Sequence, residues 1–138
     1  MRLLIDGNIL LDVLQRREPY YEDSTIVWKM CETDQVDGFV SVLTFADLVY
    51  IMRKELDAEL IREVFGKLSL IFHFEDLKAS DINSAADMLW EDFEDVVQAA
   101  TAKRIHADYI ITRNVKDFKK SEVVALTPAE FLARHFHY

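Results

Sequence analysis

A chain of 138 residues with 16 basic and 25 acidic side chains, formal charge −9, has the size of one domain, residues 1–138, with a real core. Apolar residues make up 51%, with nine Phe, five Tyr and two Trp, which excludes disorder. The acidity argues against a module that merely coats nucleic acid, a task for Lys and Arg on phosphates. It does not exclude a nuclease with metal-binding carboxylates beside a small basic patch.

Arg2–Ile5 reads as a short buried strand that ends on Asp6. Gly7 permits a sharp turn, and Asn8 can cap a helix to roughly Arg16, with Asp12 one turn further along the same face and directed back at the turn. A carboxylate at the carboxyl end of a first strand stands where open α/β sheets keep their sites. Pro19 suits the first turn of a second helix, Tyr20–Thr33, with Tyr21, Ile26, Val27, Met30 and Cys31 on an apolar stripe. Asp34–Gly38 is a turn cluster before a strand at Phe39–Val42.

Thr44 can cap a third helix to about Leu56, with Leu48, Ile51 and Met52 on one face. Asp57 restarts a fourth, with Leu60, Ile61, Val64, Phe65 and Leu68 at helical spacing. Leu70–Phe74 is apolar enough for a strand buried in a parallel sheet. Ser80–Trp90 is a helix, Glu91–Asp95 an acidic turn, and Val96–Ile105 a helix of small apolar residues that should be deeply packed. Tyr109–Thr112 is a fourth strand, Arg113–Phe118 a loop at its end, Val123–Leu126 a short fifth strand, and Pro128 opens a last helix before the tail His135–Tyr138. Strands alternating with helices predict an α/β fold: a three-layer α/β/α sandwich on a mainly parallel sheet of four to five strands.

Three glycines and two prolines fit helices with short connections. The single Cys31 suits a reducing compartment, and no apolar run approaches the ~18 residues of a membrane span, so a cytoplasmic protein is expected. The chain carries no Gly-rich phosphate loop, no zinc spacing among its four His, and no nucleophile elbow.

Carboxylates recur at the predicted element ends, and each has a local explanation as well as a chemical one. Asp6 either caps the first helix or faces a ligand. Asp47 lies in a helical first turn on a half-apolar face with no cation at i+4, which points to a partner elsewhere, such as a metal. Asp95 and Gln98 have capping-box spacing, with Asp92 an alternative cap, and Asp117 stands in a loop with Lys116, Lys119 and Lys120. Should Asp6, Asp47 and Asp95 approach within about 4 Å, each pair would repel by ~4 kcal/mol at an effective dielectric of 20. Caps worth about 1 kcal/mol do not offset that, whereas Mg²⁺ or Mn²⁺ does.

Four pieces together resemble the PIN-domain nucleases, including VapC-like toxins of toxin–antitoxin pairs. They are Leu4-Ile-Asp6-Gly-Asn8-Ile-Leu-Leu-Asp12, Ser41-Val-Leu-Thr44-Phe-Ala-Asp47, Asp92-Phe-Glu-Asp95-Val-Val-Gln-Ala-Ala and Ile111-Thr112-Arg113-Asn114-Val-Lys-Asp117-Phe118. The resemblance implies a parallel sheet with helices on both sides and a carboxylate site for Mg²⁺ or Mn²⁺. It implies Asp6, Asp47, Asp95 and Asp117 as catalytic residues, with Asp6, Asp95 and Asp47 on the metal. Asn8, Asp92, Thr112 and Asn114 would support them. Asp47 stands where many members have Glu, so it reaches one methylene less far, and Gly7 replaces the commoner Thr, loosening the turn. The activity implied is metal-assisted hydrolysis of RNA phosphodiesters. An antitoxin and a second copy of the chain are the partners implied, with no membrane partner. Arg113, Lys116, Lys119 and Lys120 are candidate phosphate contacts. A PIN-like domain that has lost turnover and serves as a binding module is the competing expectation. A haloacid-dehalogenase-like phosphatase would need a second Asp that Asp6-Gly-Asn8 lacks.

Overall fold

In the computed structural model, which describes residues 1–88, 90 and 92–135, five strands form one parallel sheet in the order β3-β2-β1-β4-β5. The strands are β1 (Arg2–Ile5), β2 (Asp37–Ser41), β3 (His73–Glu75), β4 (Tyr109–Ile111) and β5 (Ala125–Leu126). The helices are α1 (Gly7–Leu14), α2 (Tyr21–Glu32), α3 (Val42–Met52), α4 (Ala58–Ile71), α5 (Ala79–Ala86), α6 (Phe93–Arg104) and α7 (Pro128–His135). A 3-10 turn at Val115–Phe118 follows β4. None of the described helices is long and apolar enough to cross a membrane.

Alternation along β1 sorts the core into two faces. Leu3 and Ile5 pack with Ile9, Leu10, Val27, Trp28 and Phe131 of α1, α2 and α7, while Leu4 turns the other way onto Ala99 and Ala102 of α6. A strand buried on both faces gains from apolar residues at every position, and Leu3, Leu4 and Ile5 are all essentially inaccessible. On α6 every residue from Val96 to Ala102 is buried, as its small side chains predict. This is the three-layer sandwich expected.

The boundaries differ where a longer-range partner wins. Leu70–Phe74 is not a buried central strand: α4 runs through Ile71, because Leu68, Ile71 and Phe72 hold helical spacing against the core. Leu70 is left 89% exposed, and β3 is an edge strand of three residues. Lying over that edge, where Phe65 stacks on Phe74, α4 buries only Leu68 fully and leaves Leu60 and Phe65 partly exposed. On α3, Leu48 and Met52 are buried but Ile51 is not, and the helix stops at Met52 rather than Leu56. Pro19 sits in the turn before α2, and the helix expected to reach Trp90 ends at Ala86. Glu91 of the acidic turn and His137 of the tail lie outside the described residues.

Gly38 is not part of a turn but lies within β2, where a Cβ would come within 2.6 Å of Cys31 Sγ and 2.9 Å of the Phe72 ring. Only glycine lets α2 and α4 close on the sheet there. Arg104 at the end of α6 ties the opposite layer together, binding Asp81 at 2.8 Å and Glu75 at 2.7 Å.

Because β1 pairs with β2 on one side and β4 on the other, the chain reverses its direction of winding between β1 and β4. Ligands in open α/β sheets gather in the crevice at the carboxyl ends of such a strand pair. Asp6 and Thr112 are the first residues beyond those two ends.

Candidate active site

The β1–β4 register sets Ile5 opposite Ile111, so Asp6 and Thr112 leave the sheet side by side. The Asp6 amide donates to the Ile111 carbonyl at 2.9 Å. Thr112, fully buried, donates its hydroxyl to Asp6 Oδ2 at 2.7 Å and accepts from the Asn114 amide at 3.0 Å. Asp6, not Asn8, caps α1, its Oδ1 accepting from the Gly7 amide at 2.7 Å. The Asn8 amide reaches Asp6 Oδ2 at 3.4 Å and Thr112 Oγ1 at 3.5 Å. Both Asp6 oxygens are therefore aimed, Oδ1 by one bond and Oδ2 by a short bond and a long one. Burial pushes the Asp6 carboxyl upward, Thr112, Gly7 and Arg113 pull it back down, and the Asp117 charge adds a further rise.

Gly7 has no left-handed φ, so the turn does not need its freedom. What the glycine provides is a close approach: a Cβ there would lie 3.3 Å from Thr44 Cγ2, which seats α1 against α3 rather than loosening it. Thr44 is not the α3 cap either; Ser41 fills that role through the Leu43 amide. Thr44 is buried and accepts from Gln98 Nε2 at 2.6 Å, which pins α6 to α3. Gln98 is thus taken out of the expected capping box. Asp92 caps α6, accepting from the Glu94 amide at 2.9 Å and the Asp95 amide at 3.3 Å.

That cap leaves the Asp95 side chain available. Its carboxyl is raised to about 6, first by burial, then by repulsion from Asp92, Asp6 and Asp117. Asp47 is not among the charges that act on Asp95. Its partner is Glu94, which the sequence reading passed over. The Glu94 carboxyl lies beside Asp47 and is raised to about 8, first because its protonated form can donate to Asp47, then by burial and by the charges of Asp47, Asp92 and Asp95. The signal was the adjacent pair Glu94-Asp95 in a helical first turn, where neighbours about 100° apart can face α3 and β1 respectively.

A cavity of about 500 Å³ is lined by Asp6, Asn8, Thr44, Asp47, Glu94, Asp95 and Asn114, with Arg17 as its cationic member. Within it Asp47 Oδ2 is buried without a hydrogen-bond partner. A carboxylate-rich lining with an orphaned buried oxygen fits a hard divalent cation such as Mg²⁺ or Mn²⁺. Among the described residues no three acidic, His or Cys side chains stand drawn in to hold an ion as they are. Binding would have to bring Asp47 and Glu94 toward Asp6 and Asp95.

Asp117 lies on the 3-10 turn, exposed, and faces a second cleft of about 840 Å³ with Asp92, Asp95, Lys116, Lys119 and Lys120. Asp95 borders both spaces. Arg113 lines neither. Its Nε sits 3.1 Å from Asp12 Oδ2, and its guanidinium lies 4.2 Å from the centroid of the Tyr20 ring. Asp12, expected to look back at the turn, is instead fully buried against Ser24 and Arg113. Together they anchor the Thr112–Asn114 segment from behind.

A family model described as PIN domain matches residues 2–116. No curated protein matches the sequence. Among solved structures, a toxin–antitoxin complex from Klebsiella pneumoniae is similar at 22% identity and TM-score 0.70, over 91% of this chain and 97% of that one. VapBC2 from Rickettsia felis, bound to a DNA fragment from its promoter, is similar at 18% identity and TM-score 0.67, over 92% and 98%. VapC20 from Mycobacterium tuberculosis, a sarcin–ricin-loop-cleaving toxin, is similar at 12% identity and TM-score 0.69, over 91% and 99%. At these identities the likeness is one of fold.

Proposed function

The chain belongs to the PIN-domain family, and from that premise we propose that it is a Mg²⁺- or Mn²⁺-dependent endoribonuclease acting as the toxin of a toxin–antitoxin pair. The observation that carries the reading is the cavity at the β1–β4 crevice, walled by Asp6, Asp47, Glu94 and Asp95 with one buried oxygen unpartnered. An RNA substrate agrees with the activity named for VapC20, and an antitoxin partner with the complexes named for the other two similar structures. A homodimer and a cytoplasmic location belong to the same reading.

Asp6 and Asp95 would hold the cation, with Asp47 as a further ligand, direct or through water. Once bound, such an ion polarises a phosphate oxygen and makes water a better nucleophile near neutral pH. The protein's own part is positional. Thr112 and the Gly7 amide fix the Asp6 carboxylate, so it does not rotate away when substrate arrives. Gln98 locks α6 to α3 through Thr44, which keeps Asp95 and Asp47 on facing walls. Asp117, which lines the wider cleft together with Asp95, would orient the attacking water and take its proton.

Incubation of wild type and Asp6→Asn with RNA and DNA substrates in Mn²⁺ tests the assignment. RNA cleavage lost in the variant, with unchanged circular dichroism, is expected; cleavage that survives the substitution removes Asp6 from the site. A second reading, a domain without turnover that binds a partner, draws on Asp47 standing paired with Glu94 rather than with Asp6. It predicts thermal stability that Mn²⁺ leaves unmoved in both proteins.

A further inference from the structure

The acidic side chains of the carboxylate cavity differ in reach. Asp6, Asp47 and Asp95 each carry a single methylene, whereas Glu94 carries a second, and it is the only Glu among the described residues that line the cavity. Asp95 also lines the wider cleft; Glu94 does not, and its side chain is given to the carboxylate cavity. The Asp92 cap accepts from the amides of both residues, so the first turn of α6 is fixed with both carboxylates in place.

Asp47 is the carboxylate that stands apart. Its charge is not among those that act on Asp6 or on Asp95, which feels Asp92, Asp6 and Asp117. Glu94 feels Asp47, Asp92 and Asp95 together, so its carboxyl lies between the α3 wall and the rest of the site. Asp47 Oδ2 is buried with no hydrogen-bond partner. An orphaned acceptor calls for a donor, and a water retained on a hard cation is one. Glu94 also lies outside the positions that the family resemblance marks, Asp6, Asp47, Asp95 and Asp117. Where many members carry Glu on the middle helix, this chain carries Asp47, and the missing methylene stands on α6 instead, in Glu94. We propose that Glu94 is a direct ligand of the divalent cation, filling the place that Asp47 is too short to reach, with Asp47 contributing through a water on the ion. This rests on the metal-site reading of the cavity and adds to it a ligand from α6.

The test uses the full chain with Mn²⁺ alone as the probe. In protein labelled isotopically at the Glu carboxyl carbons, electron–nuclear double resonance on bound Mn²⁺ should show coupling to a coordinated Glu carboxylate, and Glu94→Gln should abolish it. By calorimetry, Glu94→Gln should weaken Mn²⁺ binding roughly 10- to 100-fold, the order by which ligand charge spaces classes of oxygen site. Glu94→Asp keeps the charge, loses the methylene and should weaken binding about as much. Adding Asp47→Glu to Glu94→Asp returns the methylene from the opposite wall and should recover most of the affinity; no recovery overturns the part assigned to Asp47. Absence of a Glu coupling in the wild type, or unchanged affinity in Glu94→Gln, overturns the proposal. Loss in Glu94→Gln with none in Glu94→Asp marks a charge acting at a distance and overturns it too. Asp6-dependent RNA cleavage with Mn²⁺ binding indifferent to Glu94 overturns the ligand and leaves the nuclease. Glu94-dependent Mn²⁺ binding without RNA cleavage keeps the ligand and overturns the nuclease.

Discussion

Replacing Glu94 with Gln should make the metal-free protein more stable at alkaline pH, and the cause is electrostatic. In the folded, metal-free chain the Glu94 carboxyl is raised from an ordinary 4.5 to about 8 by the bond its protonated form can donate to Asp47, by burial and by its acidic neighbours. Between those two values the native state keeps a proton that the unfolded chain has released. Stability therefore falls as pH rises through this window, and the full penalty is present above about 8. At 1.36 kcal/mol per pH unit the elevation would be worth about 5 kcal/mol. Solvent reaches more than a third of Glu94, and screening brings the expected effect to roughly 1–2 kcal/mol. Gln keeps an amide donor for Asp47 and carries no charge. In thermal melts with chelator, the two proteins should coincide near pH 5, and the variant should melt roughly 2–10 °C higher near pH 9, at about 2–5 °C per kcal/mol for a chain of this size. Mn²⁺ should close the gap by neutralising the wild-type pair. Parallel curves from pH 5 to 9 would refute the coupling between Glu94 and Asp47.

Mn²⁺ affinity, followed by calorimetry, should weaken as pH falls through about 6, because Asp95 then takes up a proton that competes with the cation. Gly38→Ala should cost about 1–3 kcal/mol by denaturant unfolding, since its Cβ meets Cys31 Sγ and the Phe72 ring well inside contact distance. Arg113→Leu should cost about 2–4 kcal/mol, with the loss reduced at low pH, because it strands the fully buried Asp12 carboxylate. Burial already raises the Asp12 carboxyl, so acid neutralises the orphan and spares the fold. Thr112→Val should leave the fold intact and lower Mn²⁺ affinity, about tenfold by analogy with other outer-shell hydrogen bonds to metal ligands.

Much of the fold was legible because its signals are local. An apolar run buried on both faces made β1 identifiable from four residues, and the small-residue pattern of Val96–Ala102 announced a fully packed helix. Asp6 could be placed at the mouth of the sheet because a strand's end and a helix's start lie within two residues of each other. Leu70–Phe74 misled for a related reason. Its composition suits a strand, but Leu68, Ile71 and Phe72 continue the helical stripe of α4, and contact with the core decided between the two periods.

The roles of the polar residues were decided elsewhere, by partners far along the chain. Asn8, Thr44 and Gln98 each had a plausible local capping task, yet Asp6, Ser41 and Asp92 perform the capping and free them for bonds to Thr112, Gln98 and Thr44. Arg113 resembled a free cation beside the site until packing set it between Asp12 and Tyr20. Glu94 went unnoticed because its partner Asp47 is on another helix, 47 positions earlier. Periodicity and capping act over about one helical turn, so sequence order dictated the layers and the position of Asp6. Which carboxylate faces which follows from how α3, α6 and the β4 loop close around one crevice, and only the packed structure determines that.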